Sequence, residues 1–323
     1  MIYAAYTAVA ALVVLLSIKA SEYVDLLDKK TKLSGAFIGG VMLSAVTSLP
    51  ELFTSLSATA FLDKPGLCMG NILGSDLFNV AALSVIILLF NKGFRQARVA
   101  RSHMFVNLYV CMIYGVLILN MIGVLDMQLL HICIATLIIV VLYILGVKSM
   151  SADEGALEEL SENVADDSAS AQDSLSVKSI VIRFILVSIG IVGFSIVITY
   201  ITDEISIRLG LGAGLAGALF LGVATSLPEL SSTIALFRIK NYNIAIGNIV
   251  GSNLFNFIII ALADIVYWKG GVYDYSDPKT VDLLIFGVIA MPVMQIMLKF
   301  KNKATQIICP LCVTACYAAF LIL

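Results

Sequence analysis

Residues 44–56 read SAVTSLPELFTSL and residues 222–234 read GVATSLPELSSTI, so the run Thr47-Ser48-Leu49-Pro50-Glu51-Leu52 recurs intact as Thr225-Ser226-Leu227-Pro228-Glu229-Leu230. A second pair of segments follows: GNILGSDLFN at 70–79 and GNIVGSNLFN at 247–256, differing only at Leu73/Val250 and Asp76/Asn253. The two offsets are 178 and 177 residues. Two motifs in the same order, at nearly the same separation, mark an internal duplication. Its meaning depends on what surrounds it.

The surroundings are apolar. Of the 323 residues, 60% are hydrophobic and only 13% charged, against about 25% charged in an ordinary soluble domain. Mean hydropathy is +1.01. A soluble fold cannot hide that much apolar surface, so lipid is the solvent for most of the chain. A secreted disulfide scaffold, a nucleic-acid binder and a cytosolic enzyme are excluded, the second also by a net charge of −2 that offers phosphates no basic field. The six cysteines lie in or at the ends of apolar runs, and Cys309, Cys312 and Cys316 lack a fourth ligand nearby, so they read as free apolar thiols. The first run, Ile2 to Ser17, has no basic residue ahead of it and Lys19 behind it, the reverse of a cleaved signal, and reads as a retained span.

A helix needs about 20 apolar residues to cross the hydrocarbon core. That length predicts ten spans, near 2–19, 34–60, 67–91, 103–124, 127–147, 179–201, 209–236, 241–267, 281–298 and 304–322. With ten spans, sixteen of the twenty Lys and Arg residues fall in linkers on one side and only Lys64, Arg208, Lys269 and Lys279 on the other. The positive-inside rule then puts both termini outside. Residues 151–175 carry eight acidic side chains and no Lys or Arg. Such a segment could sense calcium or bind a partner, but its composition fits a solvated, disordered cytoplasmic linker better. It divides the chain into a first five-helix half (1–150, motifs 44–79), the acidic linker (151–178) and a second five-helix half (179–323, motifs 222–256). By this topology the second span runs outward and the seventh inward. The expected fold is therefore an all-α membrane protein of ten transmembrane helices in two inverted repeats, the architecture of alternating-access transporters with a site at mid-membrane.

Glu51 and Glu229 sit deep in apolar spans, where a bare charge costs from about 3 to over 10 kcal/mol, so they are expected to face an interior cavity as cation ligands or proton carriers. Pro50 and Pro228 lack the amide protons that would bond the carbonyls of Val46 and Ala224, leaving those oxygens free beside the hydroxyls of Thr47, Ser48, Thr225 and Ser226. On the following spans Asn71, Ser75 and Asn79 fall at i, i+4 and i+8, as do Asn248, Ser252 and Asn256, one stripe on each helix. Carboxylates, amide oxygens, hydroxyls and freed carbonyls form an all-oxygen set suited to hard cations such as calcium and sodium, not zinc or copper. His103 and His131 lie outside the motifs.

Two copies of T-S-L-P-E followed by G-N-I-x-G-S-x-L-F-N resemble the alpha repeats of the sodium/calcium exchangers, within the cation/calcium antiporter superfamily. The resemblance implies calcium export in exchange for sodium, with proton/calcium exchange as the rival within the class and a cation channel as a rival outside it. It implies that Glu51 and Glu229 are the central calcium ligands, that Thr47, Ser48, Ser75, Thr225, Ser226 and Ser252 line the ion sites, and that Asn79 and Asn256 are their partners on the adjoining helices. The charge bias favours a multi-pass protein of the plasma (inner) membrane; no resident cofactor is expected, the ions being cargo, and no obligate protein partner is evident. Two departures stand out. Val46 precedes Thr47 where the family more often has glycine, and Asn79 and Asn256 are both amides where some members carry an acid. Two ionised glutamates supply about −2, which one calcium, two sodium ions or two protons neutralise, whereas a third sodium needs another carboxylate. Asp76 is an additional carboxylate that the stripe does not place: it lies about 100° round the helix from Ser75.

Overall fold

The computed structural model describes residues 1–31, 43–151 and 176–323. In chain order the helices are α1 (Ile2–Thr31), α2 (Leu43–Thr47), α3 (Leu49–Ala60), α4 (Pro65–Leu89), α5 (Asn91–Gln96), α6 (Arg101–Met121), α7 (Ile134–Ser151), α8 (Val177–Leu209), α9 (Ala213–Ala216), a π-helical turn at Gly217–Gly222, α10 (Val223–Thr225), α11 (Leu227–Arg238), α12 (Tyr242–Val266), α13 (Pro278–Lys299) and α14 (Thr305–Ile322). Among the described residues seven helices are long and apolar enough to cross a membrane, and the pair Ala213–Thr225 and Leu227–Arg238, bent by 42°, would make an eighth. The fold is an all-helical membrane type.

Five of the ten expected spans lie within a few residues of a helix: 67–91 against α4, 103–124 against α6, 241–267 against α12, 281–298 against α13 and 304–322 against α14. Two more are broken: the described part of 34–60 is split into α2 and α3, and 209–236 into α9, the π-helical turn, α10 and α11. The other three differ in length. The helices expected at 2–19 and 179–201 run on as α1 and α8, the latter 33 residues long. The span expected at 127–147 starts late, because Gln128–Leu129 and Ile132–Cys133 pair antiparallel around Leu130, whose φ is +63°. Asp264 fixes that ribbon to α12, accepting the Cys133 amide at 2.9 Å and the Thr136 hydroxyl at 2.6 Å. What remains is an 18-residue helix, about 27 Å long at 1.5 Å per residue. Residues 34–42 of the second expected span, and 152–175 of the acidic linker, lie outside the described residues.

Burial ranks the helices. In α4 and α12, 72% of the apolar window is buried inside the protein, against 17% in α1 and α8. The first two are therefore the centre and the second two the lipid-facing margin, and the polar stripes of α4 and α12 are buried with them. α1 packs along α8; α4 packs on α12, α13, α14 and the π-helical turn; α12 packs on α2, α3, α6 and α7. Small residues let α4 come close: a Cβ at Gly74 would lie 2.5 Å from the Ala218 Cα in the π-helical turn, and one at Gly70 would collide with the Gly214 carbonyl. Such approach is how membrane helices associate without a hydrophobic driving force. His131 lies away from the motifs, stacked on Trp268 at 3.7 Å, and His103 packs against Gly247.

Candidate ion-binding site

Both T-S-L-P-E segments break a helix at the serine. α2 ends at Thr47 and α3 begins at Leu49, with Ser48 between them at φ −89°, ψ 11°; α10 ends at Thr225 and α11 begins at Leu227, with Ser226 at φ −87°, ψ 1°. Each proline occupies the second position of the new helix, where a missing amide proton removes no bond. Glu51 and Glu229 therefore fall in a first helical turn, where unpaired amides and the positive end of the helix dipole favour a carboxylate. The π-helical turn just before α10 loosens the second copy further.

The two copies then grip each other. Ser226 donates its hydroxyl to Glu51 Oε1 at 3.1 Å, and Ser48 donates to Glu229 Oε1 at 3.2 Å. Ser252 donates to the same Glu229 oxygen at 3.5 Å and stands 3.5 Å from the Thr47 hydroxyl. Thr225 turns back to the Leu221 carbonyl at 2.9 Å, and Ser75 to the Gly222 carbonyl at 3.2 Å. All of these side chains are buried. Asn71 and Asn248 donate to the carbonyls of Glu51 and Glu229 at 3.4 and 3.5 Å.

What these groups leave open is as regular as what they bond. Glu51 Oε2 and Glu229 Oε2 are buried without a hydrogen-bond partner, and so are the amide oxygens of Asn71, Asn248, Asn79 and Asn256. A buried acceptor left unpaired costs about 1–3 kcal/mol, and a charged one more. None of the ion pairs found among the described residues involves either glutamate. Nor do three His, Cys, Asp or Glu side chains gather among those residues, so the donor set is two carboxylates with neutral oxygens around them. Such a set suits a hard cation and gives nothing to a thiolate metal.

Asn79 and Asn256 stand one turn further along α4 and α12, facing the opposite helix. Asn79 Nδ2 donates to Asn253 Oδ1 at 3.0 Å, and Asn256 Nδ2 donates to Asp76 Oδ1 at 2.8 Å. Sequence reading missed Thr54 and Ser55, whose hydroxyls each hold the Asn71 amide group at 2.9 Å, and Thr233, which takes the Asn248 amide at 3.4 Å. Their signal was present: Thr54 and Thr233 stand three and four residues past their glutamates, about one turn on.

The sodium/calcium exchanger protein family matches this chain over residues 3–150 and 179–323. The chain belongs to that family. Among curated relatives of this exchanger, the inner membrane protein YrbG of Escherichia coli is 24% identical over 263 residues, covering 79% of this chain and 77% of its own. The H+/Ca2+ exchanger CAX superposes with a TM-score of 0.64 at 14% identity, over 97% of this chain and 86% of that one. The sodium-calcium exchanger NCX_Mj, soaked with Na+ and Sr2+, superposes with a TM-score of 0.60 at 19% identity, over 100% and 99%. At these identities the likeness is one of fold, and it is shared with exchangers of both counter-ions.

Proposed function

We propose that this exchanger moves Ca2+ out of the cell in return for Na+, by alternating access of one central site to the two sides of the membrane. The observation that carries the reading is the matched pair of orphaned oxygens, Glu51 Oε2 and Glu229 Oε2, on carboxylates already tied across the duplication by Ser226 and Ser48. In this reading Glu51 and Glu229 hold Ca2+, with Thr47, Ser48, Ser75, Asn79, Thr225, Ser226, Ser252 and Asn256 completing the shells of the exchanged ions and no resident cofactor involved. Two carboxylates are neutralised equally by one Ca2+ or by two Na+. The loaded forms can then reorient through a low-dielectric interior while the empty, doubly charged form is held back, which makes exchange obligatory.

The same reading takes the fold as ten transmembrane helices in two inverted five-helix halves, 1–150 and 179–323, in the plasma membrane with both termini outside. In its favour, Asn79 meets Asn253 while Asp76 meets Asn256, so α4 and α12 run antiparallel where they touch, as inverted copies would. Proton/calcium exchange is the second reading. The fold likeness to CAX favours it, as does the ability of buried carboxylates to carry protons. Calcium uptake into proteoliposomes, with Na+, K+ and pH gradients imposed one at a time, separates these readings. Uptake driven by Na+ at clamped pH is the expected result. Uptake driven only by the pH gradient replaces sodium with the proton, and uptake with no counter-ion gradient would make the protein a channel.

A further inference from the structure

Asp76 is the one buried motif carboxylate that the two-glutamate site leaves unused. The duplication aligns it with Asn253, and the structure repeats that match in its bonding. Asn79 Nδ2 donates to Asn253 Oδ1 at 3.0 Å, and Asn256 Nδ2 donates to Asp76 Oδ1 at 2.8 Å. Asn253 Nδ2 adds a contact to the Asp76 carbonyl at 3.4 Å. Asp76 and Asn79 lie three residues apart on α4, as do Asn253 and Asn256 on α12, so the four side chains form one quartet between the two most buried helices. Three of its oxygens have no hydrogen-bond partner: Asp76 Oδ2, Asn79 Oδ1 and Asn256 Oδ1. The Tyr114 hydroxyl stands next to the Asp76 carboxyl. None of the ion pairs found among the described residues reaches it.

We infer that the Asp76 carboxylate, with the amide oxygens of Asn79 and Asn256 that it shares with the central site, forms a further monovalent-cation site beside the glutamate pair. An asparagine at position 76 would serve the hydrogen bond from Asn256 equally well, as Asn253 serves Asn79, so the acid adds only charge. One negative charge among neutral oxygens, with no ion pair to balance it among the described residues, matches a single sodium-sized ion. The inference rests on the exchanger reading, in which the glutamates already hold a charge of about −2. With Asp76 the total becomes about −3, and a third Na+ then enters without leaving an uncompensated charge in the interior.

The test counts sodium. Purified protein in calcium-free buffer is titrated with 22Na+ and the bound ions per molecule are measured. Asp76→Asn should bind about one ion fewer than the unaltered protein. The double variant Asp76→Asn with Asn253→Asp, which moves the charge to the equivalent place on α12, should recover that ion. Glu51→Gln combined with Glu229→Gln should still retain about one. An unchanged count in Asp76→Asn overturns the inference, as does a loss that the relocated charge fails to restore, or a count of zero when both glutamates are replaced. Should Asp76→Asn fail to fold, the double glutamine variant decides by itself. Calcium binding by that double glutamine variant would instead overturn the two-glutamate site, whatever the sodium count.

Discussion

Ser226 gives its hydroxyl proton to Glu51, a residue 175 positions away, at 3.1 Å; the reciprocal pair, Ser48 and Glu229, closes at 3.2 Å. Each glutamate is thus held by the serine of the other copy, and neither copy is a complete site alone. Ser226→Ala and Ser48→Ala should therefore act alike. Losing a hydrogen bond to a carboxylate is worth about 1.5–3 kcal/mol, which predicts roughly a 10- to 100-fold rise in the calcium concentration for half-maximal flux in either variant. Calcium flux in proteoliposomes measures it. A severe effect from one serine and none from the other would show that the two halves of the site are not equivalent.

Removing the carboxylate charge is the harsher test. Glu51→Gln and Glu229→Gln keep the shape and the serine contacts but leave a divalent ion facing a single charge in a low-dielectric interior. Each should lower calcium flux by at least about 100-fold, with the purified protein still monodisperse and inserted. Full calcium flux in either variant removes that glutamate from the site.

The elements that carry a strong local signal were readable from the chain. α4 and α12 follow from long, mostly apolar runs without proline in their interiors. The helix breaks at Ser48 and Ser226 follow from prolines two residues later, and the candidate residues from a duplicated motif. The crosswise bonding was not readable. It joins residues 175 and 181 positions apart, and either Glu–Ser pairing would satisfy the same sequence. The partner of Asp76 stayed hidden for a similar reason, because a stripe on one helix says nothing about which amide of another helix faces it. The π-helical turn at Gly217–Gly222 and the ribbon ahead of α7 were also missed. In both, packing overrides a pattern that reads as plain helix.

The contact between α4 and the π-helical turn depends on the absence of a side chain. A Cβ at Gly74 would stand 2.5 Å from the Ala218 Cα, a backbone atom that cannot swing aside. Gly74→Leu should destabilise the protein by about 1–3 kcal/mol or more and lower its melting midpoint in detergent by several degrees. At Gly115 on α6 an added Cβ would meet nothing within 4 Å, so Gly115→Leu should leave the midpoint unchanged. Equal effects at both sites would mean that the close approach at Gly74 does not set the penalty.

Lys301 lies between α13 and α14, with its ammonium over the Phe94 ring at 3.4 Å and no hydrogen-bond partner. Burial pulls it down from 10.5 to about 7, against the attraction of the ring for a cation. Between those two values the folded protein binds fewer protons than the unfolded chain. Stability should therefore rise as pH climbs from about 7 towards 10.5, and its penalty should be complete below about 7. One proton bounds the slope at about 1.4 kcal/mol per pH unit. Melting midpoints at pH 7 and pH 9 should differ in that direction for the unaltered protein, and the Lys301 part of the difference should vanish in Lys301→Met. An identical pH difference in the two proteins would mean that the ring keeps Lys301 charged throughout the range.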